Sequence, residues 1–331
     1  MTPQLLILGE HEIEELLTMP ACIAVMAEAL AALALGQVHQ PLRQGIRAPG
    51  AAGLLGLMPA FLSGDRPLYG LKEVCVYPDN PKHGLDTHLG AVLLHSGTTG
   101  QLLAVMNAST ITAIRTAAVS ALATRLLARE EACTLAIIGA GVQGRSHLRA
   151  IPLVRPIREV RIYSRSVERV AEMMDSADDV DVELITYASS VEEAVRGADV
   201  IVTATSSREP VLQRAWIAEG THINAVGSSI AAARELDAAS VAAATLFVDR
   251  RESTTAESGD YLMALREGAI TEDHIRAELG DVLIGKAEGR TSPEEITLFK
   301  SLGLAIEDLA AAAFLYDEAL RTARGTWANF A

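Results

Sequence analysis

One glycine pattern, set between an apolar run and a helical stretch, limits what this chain can fold into more than any other segment. Residues 134–149 read TLAIIGAGVQGRSHLR. Residues 135–138 have the length and apolar continuity of a buried parallel strand. Gly139-Ala140-Gly141-Val142-Gln143-Gly144 follows and opens a helix. In such a unit the first glycine permits a tight turn and the second lets the backbone approach a pyrophosphate. The third allows close helix–strand packing, and the free N–H groups of the helix start face the anion. Alone the pattern also describes a structural turn. Its setting between strand and helix points to a dinucleotide loop.

The segments around the loop alternate in the same way. Glu159–Tyr163, residues 200–204, His222–Ala225 and Thr245–Val248 read as strands, and Val167–Asp175 and residues 190–196 as helices. Strands alternating with helices predict a parallel, doubly wound α/β sheet. The region before it differs. Residues 20–35 have helical spacing, 54–107 hold short apolar runs broken by turn signals, and 111–129 read as a long helix. The middle region predicts an antiparallel or mixed sheet. Residues 293–324 read as helical, with Ser292 as N-cap and Glu294 and Glu295 in the first turn. That helix is expected to return to the first domain. The fold class expected is therefore α/β, a Rossmann domain at 121–305 inserted in a mixed-sheet α+β domain made of 1–120 and 306–331.

With 331 residues, half of them apolar and 4% aromatic, the chain has material for two well-filled domains. A formal net charge of −14 argues against a nucleic-acid surface. Cys22, Cys75 and Cys133 lie far apart without a CxxC or Cys/His cluster, so no metal site is expected. They read as buried small hydrophobes of a reducing compartment. The N-terminus lacks the pattern of a signal peptide, and no apolar stretch is long enough to cross a bilayer. The expectation is a cytoplasmic protein with no membrane partner.

A carboxylate about 20 residues past the glycines would hold the ribose 2′-OH of NAD. Here the end of the second strand carries Ser164, Arg165 and Ser166 instead, with Arg169 one helical turn on. Two guanidinium groups and two hydroxyls suit a 2′-phosphate, so NADP(H) is preferred and NAD(H) stays open. The two arginines also fit a solvated surface pair. Four polar segments interrupt the apolar pattern of the first domain: QPLR with Arg43, GLK with Lys72, GLDTH with Thr87 and His88, and TAIRTAA with Arg115 and Thr116. A lysine inside a strand and an arginine early in an Ala-rich helix are costly to bury without an anionic partner. An amino- or imino-acid carboxylate suits Arg43 and Lys72, and a cofactor phosphate suits Arg115 and Thr116. The alternatives are that Lys72 reaches solvent and Arg115 serves a structural cap.

These segments, with LMPAF, YPDNPKHGLDTH, ITAIRTAAVSALA, EEAVRGADVIVTATS, THINAVGSS and TLFKSLGLAIEDL, run collinearly from about Gln40 to Tyr316. Together they resemble the ornithine cyclodeaminase/mu-crystallin family. The resemblance implies a substrate and dimerisation domain beside a Rossmann domain, and a homodimer formed through the first domain. It implies that Arg43, Lys72 and Arg115 surround the substrate carboxylate and the cofactor's phosphate and nicotinamide side, with Thr87 and His88 lining the substrate pocket. It matches Gly139, Ala140, Gly141, Val142 and Gln143 to the pyrophosphate loop, and Thr203, Thr205 and Ser206 to the segment over the cofactor. Val226 matches the nicotinamide end, and Lys300 a position near the cofactor.

Two departures separate this chain from the cyclodeaminases. Their Asp after the AVG segment is Ser229 here, and their Glu before LMP is Gly56. Cyclisation with loss of ammonia must handle protons on two amines, and both carboxylates are missing. The mu-crystallin-like ketimine reductases carry Ser at the first position. The expected activity is thus NAD(P)H-dependent reduction of small cyclic ketimine carboxylates, such as Δ1-pyrroline-2-carboxylate or Δ1-piperideine-2-carboxylate, or a related amino-acid dehydrogenation. Arg43 is expected to clamp the carboxylate and Lys72 to donate the proton, with Ser229 or His88 as relay. An ornithine cyclodeaminase or a non-catalytic small-molecule binder are the other readings.

Overall fold

The computed structural model describes residues 4–330. They form two compact units, one from the chain up to Arg115 and from Leu304 on, the other Thr116–Gly303. The expected joints were 120/121 and 305/306; the chain divides five and two residues earlier, at 115/116 and 303/304. The first joint falls inside one continuous helix, Ala108–Leu127, which therefore belongs to both units.

In chain order the strands of the first unit are β1 (Gln4–Leu8), β2 (Val38–His39), β3 (Gln44–Ile46), β4 (Leu54–Leu62), β5 (Leu68–Val76), β6 (His88–Ser96) and β7 (Leu102–Asn107). The second unit holds β8 (Thr134–Ile138), β9 (Glu159–Tyr163), β10 (Leu184–Tyr187), β11 (Val200–Thr203), β12 (His222–Ala225), β13 (Thr245–Val248), β14 (Ile275–Glu278) and β15 (Thr297–Lys300). The chain then re-enters the first unit with the helix Ala305–Thr322 and β16 (Thr326–Asn329).

The sheet of the first unit is mixed, in the order β16-β1-β7-β6-β5-β4-β2, with β3 also on β4. Strands β4 to β7 form an antiparallel meander, and β1 joins β7 in parallel. Side chains alternate across β5: Leu68, Gly70 and Lys72 are buried, whereas Tyr69, Glu73 and Cys75 are exposed. The buried face carries the Ala305–Thr322 helix. A Cβ on Gly70 would lie 2.9 Å from Leu309, so glycine is what lets this helix sit so close. Alanines at 311, 312 and 319 are fully buried in the same helix. On the other face, register lines up Ile46, Leu55, Cys75 and Leu89 across four strands. Cys75 is exposed there and Cys133 half-buried, so of the three cysteines Cys22 alone is the buried hydrophobe expected.

The sheet of the second unit is wholly parallel, in the order β10-β9-β8-β11-β12-β15-β13-β14. The β10-β9-β8-β11-β12 part follows the 3-2-1-4-5 order of a dinucleotide fold, and its direction of winding reverses between β8 and β11. Strands β11, β12 and β15 are buried at every position, including the polar His222, Asn224, Thr297 and Lys300.

One expectation fails outright. Residues 293–324 are not one helix: Thr297–Lys300 is strand β15, inserted between β12 and β13, and the helix begins only at Ala305. Ser292 caps no helix. Glu295 instead accepts hydrogen bonds from the Thr291 backbone at 2.6 Å and the Thr245 hydroxyl at 2.5 Å, closing a turn into the strand. Four residues are too few for periodicity to separate a buried strand from a helical turn.

Candidate active site

In the first unit the structure joins residues from three elements into a buried charged cluster. Lys72 on β5 is 5% exposed and Arg115, in the Ala108–Leu127 helix, 4%. Glu307 and Asp308, in the first turn of the Ala305–Thr322 helix, are 0% and 1% exposed. Lys72 Nζ donates to Thr112 Oγ1 at 2.6 Å and to Asp308 Oδ1 at 3.3 Å. Arg115 Nε donates to the same Asp308 oxygen at 3.1 Å, and a terminal nitrogen donates to Glu307 Oε2 at 2.7 Å. Gln40 anchors the helix start by accepting from the Ile306 N–H at 2.9 Å. Two cations thus meet two carboxylates inside the unit. The anionic partners that burial of Lys72 and Arg115 demands are supplied, at least in part, by the chain itself.

Burial pulls the Lys72 pKa down from the ordinary lysine value to about 8; Asp308 opposes the shift and Arg115 reinforces it. An ammonium on that border gives up or takes a proton near neutral pH, as a general acid–base must. Desolvation raises the nearby Cys22 thiol to about 12, which removes it as a nucleophile.

The other expected residues of this unit lie around the cluster. Arg43 is half-buried one residue before β3. By register it lines up with Met58, which lies opposite Lys72. His88 is exposed at the start of β6, and desolvation followed by the Lys72 charge lowers its pKa. The carbonyl of Thr87 accepts from the Tyr77 N–H at 2.9 Å. Gly56 lies opposite Val74 on the face that carries Lys72. A Cβ there would meet Val74 and Leu54 at ordinary contact distance, so a methyl group fits and glycine is not a steric demand.

In the second unit the expected cofactor residues gather at one edge, the carboxyl ends of the parallel strands. Gly139 takes a φ of +116° after β8, and a Cβ on it would lie 2.4 Å from the Ala204 carbonyl. A Cβ on Gly144 would lie 2.0 Å from the Gly139 carbonyl. Gly141 is different. It is the N-cap of the Val142–Ala150 helix, with an ordinary φ of −85°, and nothing lies within 4 Å of its Cβ position. The first and third glycines are needed by the fold, while the second keeps open the space beside the helix N-terminus. Those features fit a dinucleotide pyrophosphate. Ala140 is buried, Gln143 half-buried and Val142 exposed at the loop. His147 holds the first turn: Nδ1 lies 2.7 Å from the Gln143 carbonyl and Nε2 lies 2.8 Å from Ser120 Oγ. Burial lowers its pKa to about 4, so the ring is neutral.

After β9, Arg165 and, in the first turn of the Val167–Asp175 helix, Arg169 are both exposed and Ser164 is half-buried. Ser166 is engaged, because its Oγ caps the Val167–Asp175 helix by accepting from Arg169 N and donates to Glu168 at 2.8 Å. Thr203 is buried, Thr205 half-buried and Ser206 exposed after β11; Val226 is 9% exposed after β12. Ser229 is half-buried and makes no hydrogen bond among the described residues. Thr116 is buried within its helix. Lys300 is 1% exposed, with its ammonium 2.9 Å from Asp260, so its charge is met within the unit.

Sequence reasoning missed Glu307, Asp308, Glu235 and Asp260. The first two had a signal: an acidic pair inside the apolar run LGLAIEDLAAAAF. It is as anomalous there as Lys72 is in its strand, and of the opposite sign.

The profile of the ornithine cyclodeaminase/mu-crystallin family matches residues 4–323. This chain belongs to that family. Its relatives include the mouse ketimine reductase mu-crystallin, 43% identical over 282 residues, 85% of this chain and 86% of the mouse protein. The structure of Thermococcus litoralis Δ1-pyrroline-2-carboxylate reductase in complex with NADH and L-proline superposes with a TM-score of 0.93 at 39% identity, over 97% of this chain and 99% of that one. An archaeal alanine dehydrogenase dimer with bound NAD gives 0.92 at 36% identity, over 99% and 100%.

Proposed function

We propose that this family member is an enzyme that reduces small imino acids, cyclic ketimine carboxylates such as Δ1-pyrroline-2-carboxylate above all, with a nicotinamide dinucleotide. The observation that carries the reading is the buried Lys72 ammonium, poised at a pKa of about 8 between Asp308 and Thr112. Reduction of a C=N bond adds a hydride to carbon and a proton to nitrogen. The dinucleotide supplies the hydride when bound. Lys72 supplies the proton, and Arg43 pairs with the substrate carboxylate. Asp308 and Thr112 hold the ammonium in place, and Arg115 stops Asp308 from claiming it wholly. Lys72 then recovers its proton from solvent. Ser229 and Gly56 leave the chain without the two carboxylates on which cyclodeamination of ornithine depends. The test is the rate of NADPH and NADH oxidation with Δ1-pyrroline-2-carboxylate, Δ1-piperideine-2-carboxylate and pyruvate plus ammonium, beside ornithine with ammonia release followed. Imine-dependent oxidation supports the proposal. Ammonia released from ornithine with catalytic NAD defeats it.

NADPH is the preferred donor in this reading. Arg165 and Arg169 stand exposed after β9, where the adenosine ribose lies in such folds. Glu168, held by Ser166, leaves NADH as a second donor. Replacing both arginines by alanine should raise the KM for NADPH about 10-fold or more and leave that for NADH nearly unchanged.

The protein is further proposed to form a homodimer through the first unit. The sheet face opposite Lys72 presents Ile46, Tyr69 and Leu89, which are 56%, 51% and 39% exposed, beside Cys75. Three free thiols suit a reducing, cytoplasmic setting.

A further inference from the structure

Glu235 lies outside the dinucleotide loop and the charged cluster of the first unit, yet it is fully buried and its carboxylate is encircled by donors. Oε2 accepts from Thr203 Oγ1 at 2.9 Å and from the Gly227 N–H at 2.7 Å, and Oε1 accepts from the Thr205 N–H at 2.6 Å. Thr203 ends β11, Thr205 lies two residues beyond it, and Gly227 follows β12. One side chain therefore ties together the carboxyl ends of two neighbouring strands. Gly227 has to be glycine for the clasp to close: a Cβ there would lie 2.2 Å from the Thr205 carbonyl and 2.5 Å from Glu235 Oε1.

Glu235 is itself held in place. Asp260 Oδ1 accepts from the backbone N–H groups of Glu235 and Leu236 at 2.8 and 3.0 Å, and Asp260 Oδ2 lies 2.9 Å from Lys300 Nζ. Lys300 sits at the end of β15, in register with Ala225 of β12 and Val248 of β13. The clasp thus reaches β11 and β12 directly and β15 through the Asp260–Lys300 pair. The Ala204 carbonyl, between the two clasped threonines, is the atom against which Gly139 turns. The glycine loop and the β11 terminus are therefore shaped together.

We propose that Glu235, anchored by Asp260 and Lys300, is a positioning residue that fixes the β11 and β12 termini in the arrangement a nicotinamide dinucleotide needs. The inference rests on the reading that this strand edge binds the dinucleotide. Glu235 touches no substrate; it acts through Thr203, Thr205 and Gly227. Burial pushes the Glu235 pKa up and the Lys300 charge opposes it, but all three neighbours donate to its oxygens, so a carboxyl group fits and a glutamine, which must turn an NH2 group toward one of them, does not.

The decisive variants are Glu235→Gln and the charge-preserving Glu235→Asp, with Thr203→Val, which removes one donor, as the milder substitute should Glu235→Gln not fold. Amide exchange of the ligand-free protein at residues 205 and 227 is read beside NADPH and NADH binding and the pH profile of turnover. Glu235→Gln is expected to speed exchange at both amides about 10-fold or more and to weaken dinucleotide binding by a similar factor. The limb near pH 8, set by Lys72 in the other unit, should stay in place, and Glu235→Asp should recover part of the loss. Unchanged exchange, or faster exchange with unchanged dinucleotide affinity, overturns the proposal. So does a loss in Glu235→Gln that Glu235→Asp or, in its place, Thr203→Val does not grade. If the unaltered protein binds neither dinucleotide, the functional reading fails instead, and the exchange measurement still decides whether the clasp exists.

Discussion

Lys72 suits the proposed proton transfer because burial and charge act on its ammonium in opposite senses. Desolvation lowers its pKa, Asp308 raises it, Arg115 lowers it again, and the balance lies near 8. Below that pH the group is an acid able to protonate an imine, and above it a base able to take the proton in the reverse, amine-oxidising direction. Imine reduction should therefore fall as pH rises through about 8, while amine oxidation rises over the same interval. Lys72→Ala should lower kcat about 10²–10⁴-fold and leave dinucleotide binding intact, which titration of dinucleotide binding with the variant checks. Asp308→Asn removes the charge that raises the Lys72 pKa, so the falling limb of reduction should move to lower pH. An unmoved limb would assign the limb to another group. Asparagine is the informative choice, because its amide oxygen can still accept from Lys72 and Arg115, whereas alanine removes both hydrogen bonds along with the charge at a cost of about 3–5 kcal/mol. At this scale the sequence showed half of the cluster. A lysine in a strand and an arginine in an Ala-rich helix advertise a missing anion, but the anion lies over 190 residues away in sequence, as the separations of 236 and 192 residues between the paired side chains show. No local spacing relates them.

The elements of the second unit were legible to the extent that their pattern is local. Glu159–Tyr163, His222–Ala225 and Thr245–Val248 match their expected bounds. Strand β15 was misread as helix because TLFK precedes a genuine helix with no proline between them, and only its place between β12 and β13 makes it a strand. The three glycines of the loop separate by function in a way spacing alone does not reveal. Gly144→Ala forces a Cβ to within 2.0 Å of a carbonyl and should cost about 1–3 kcal/mol or more, read as a lower Tm. Gly141→Ala meets nothing within 4 Å, so its Tm should stay close to that of the unaltered protein. Its methyl group projects into the space proposed for the pyrophosphate, so dinucleotide affinity should still drop. Equal affinity for Gly141→Ala would move the pyrophosphate elsewhere.

At the scale of the whole molecule, the chain builds one unit from its two ends and the other from its middle, and the composition already allowed for two cores. The open face of the first sheet was not legible, because alternation gives the parity of a strand's side chains without saying which face a helix will cover. The row Ile46, Leu55, Cys75 and Leu89 is the uncovered one. Leu89→Glu places a charge in that row, away from Lys72, and light scattering should then report the mass of one chain instead of two. A dimer that persists would shift the interface off this face. The most direct measurement of all is the rate of NADPH oxidation with Δ1-pyrroline-2-carboxylate across pH 6 to 10, a window chosen to bracket the Lys72 pKa of about 8. The account predicts imine-dependent turnover that declines through a pKa near 8 and disappears in Lys72→Ala. Turnover that Lys72→Ala retains, or no oxidation with any imino acid, would contradict it.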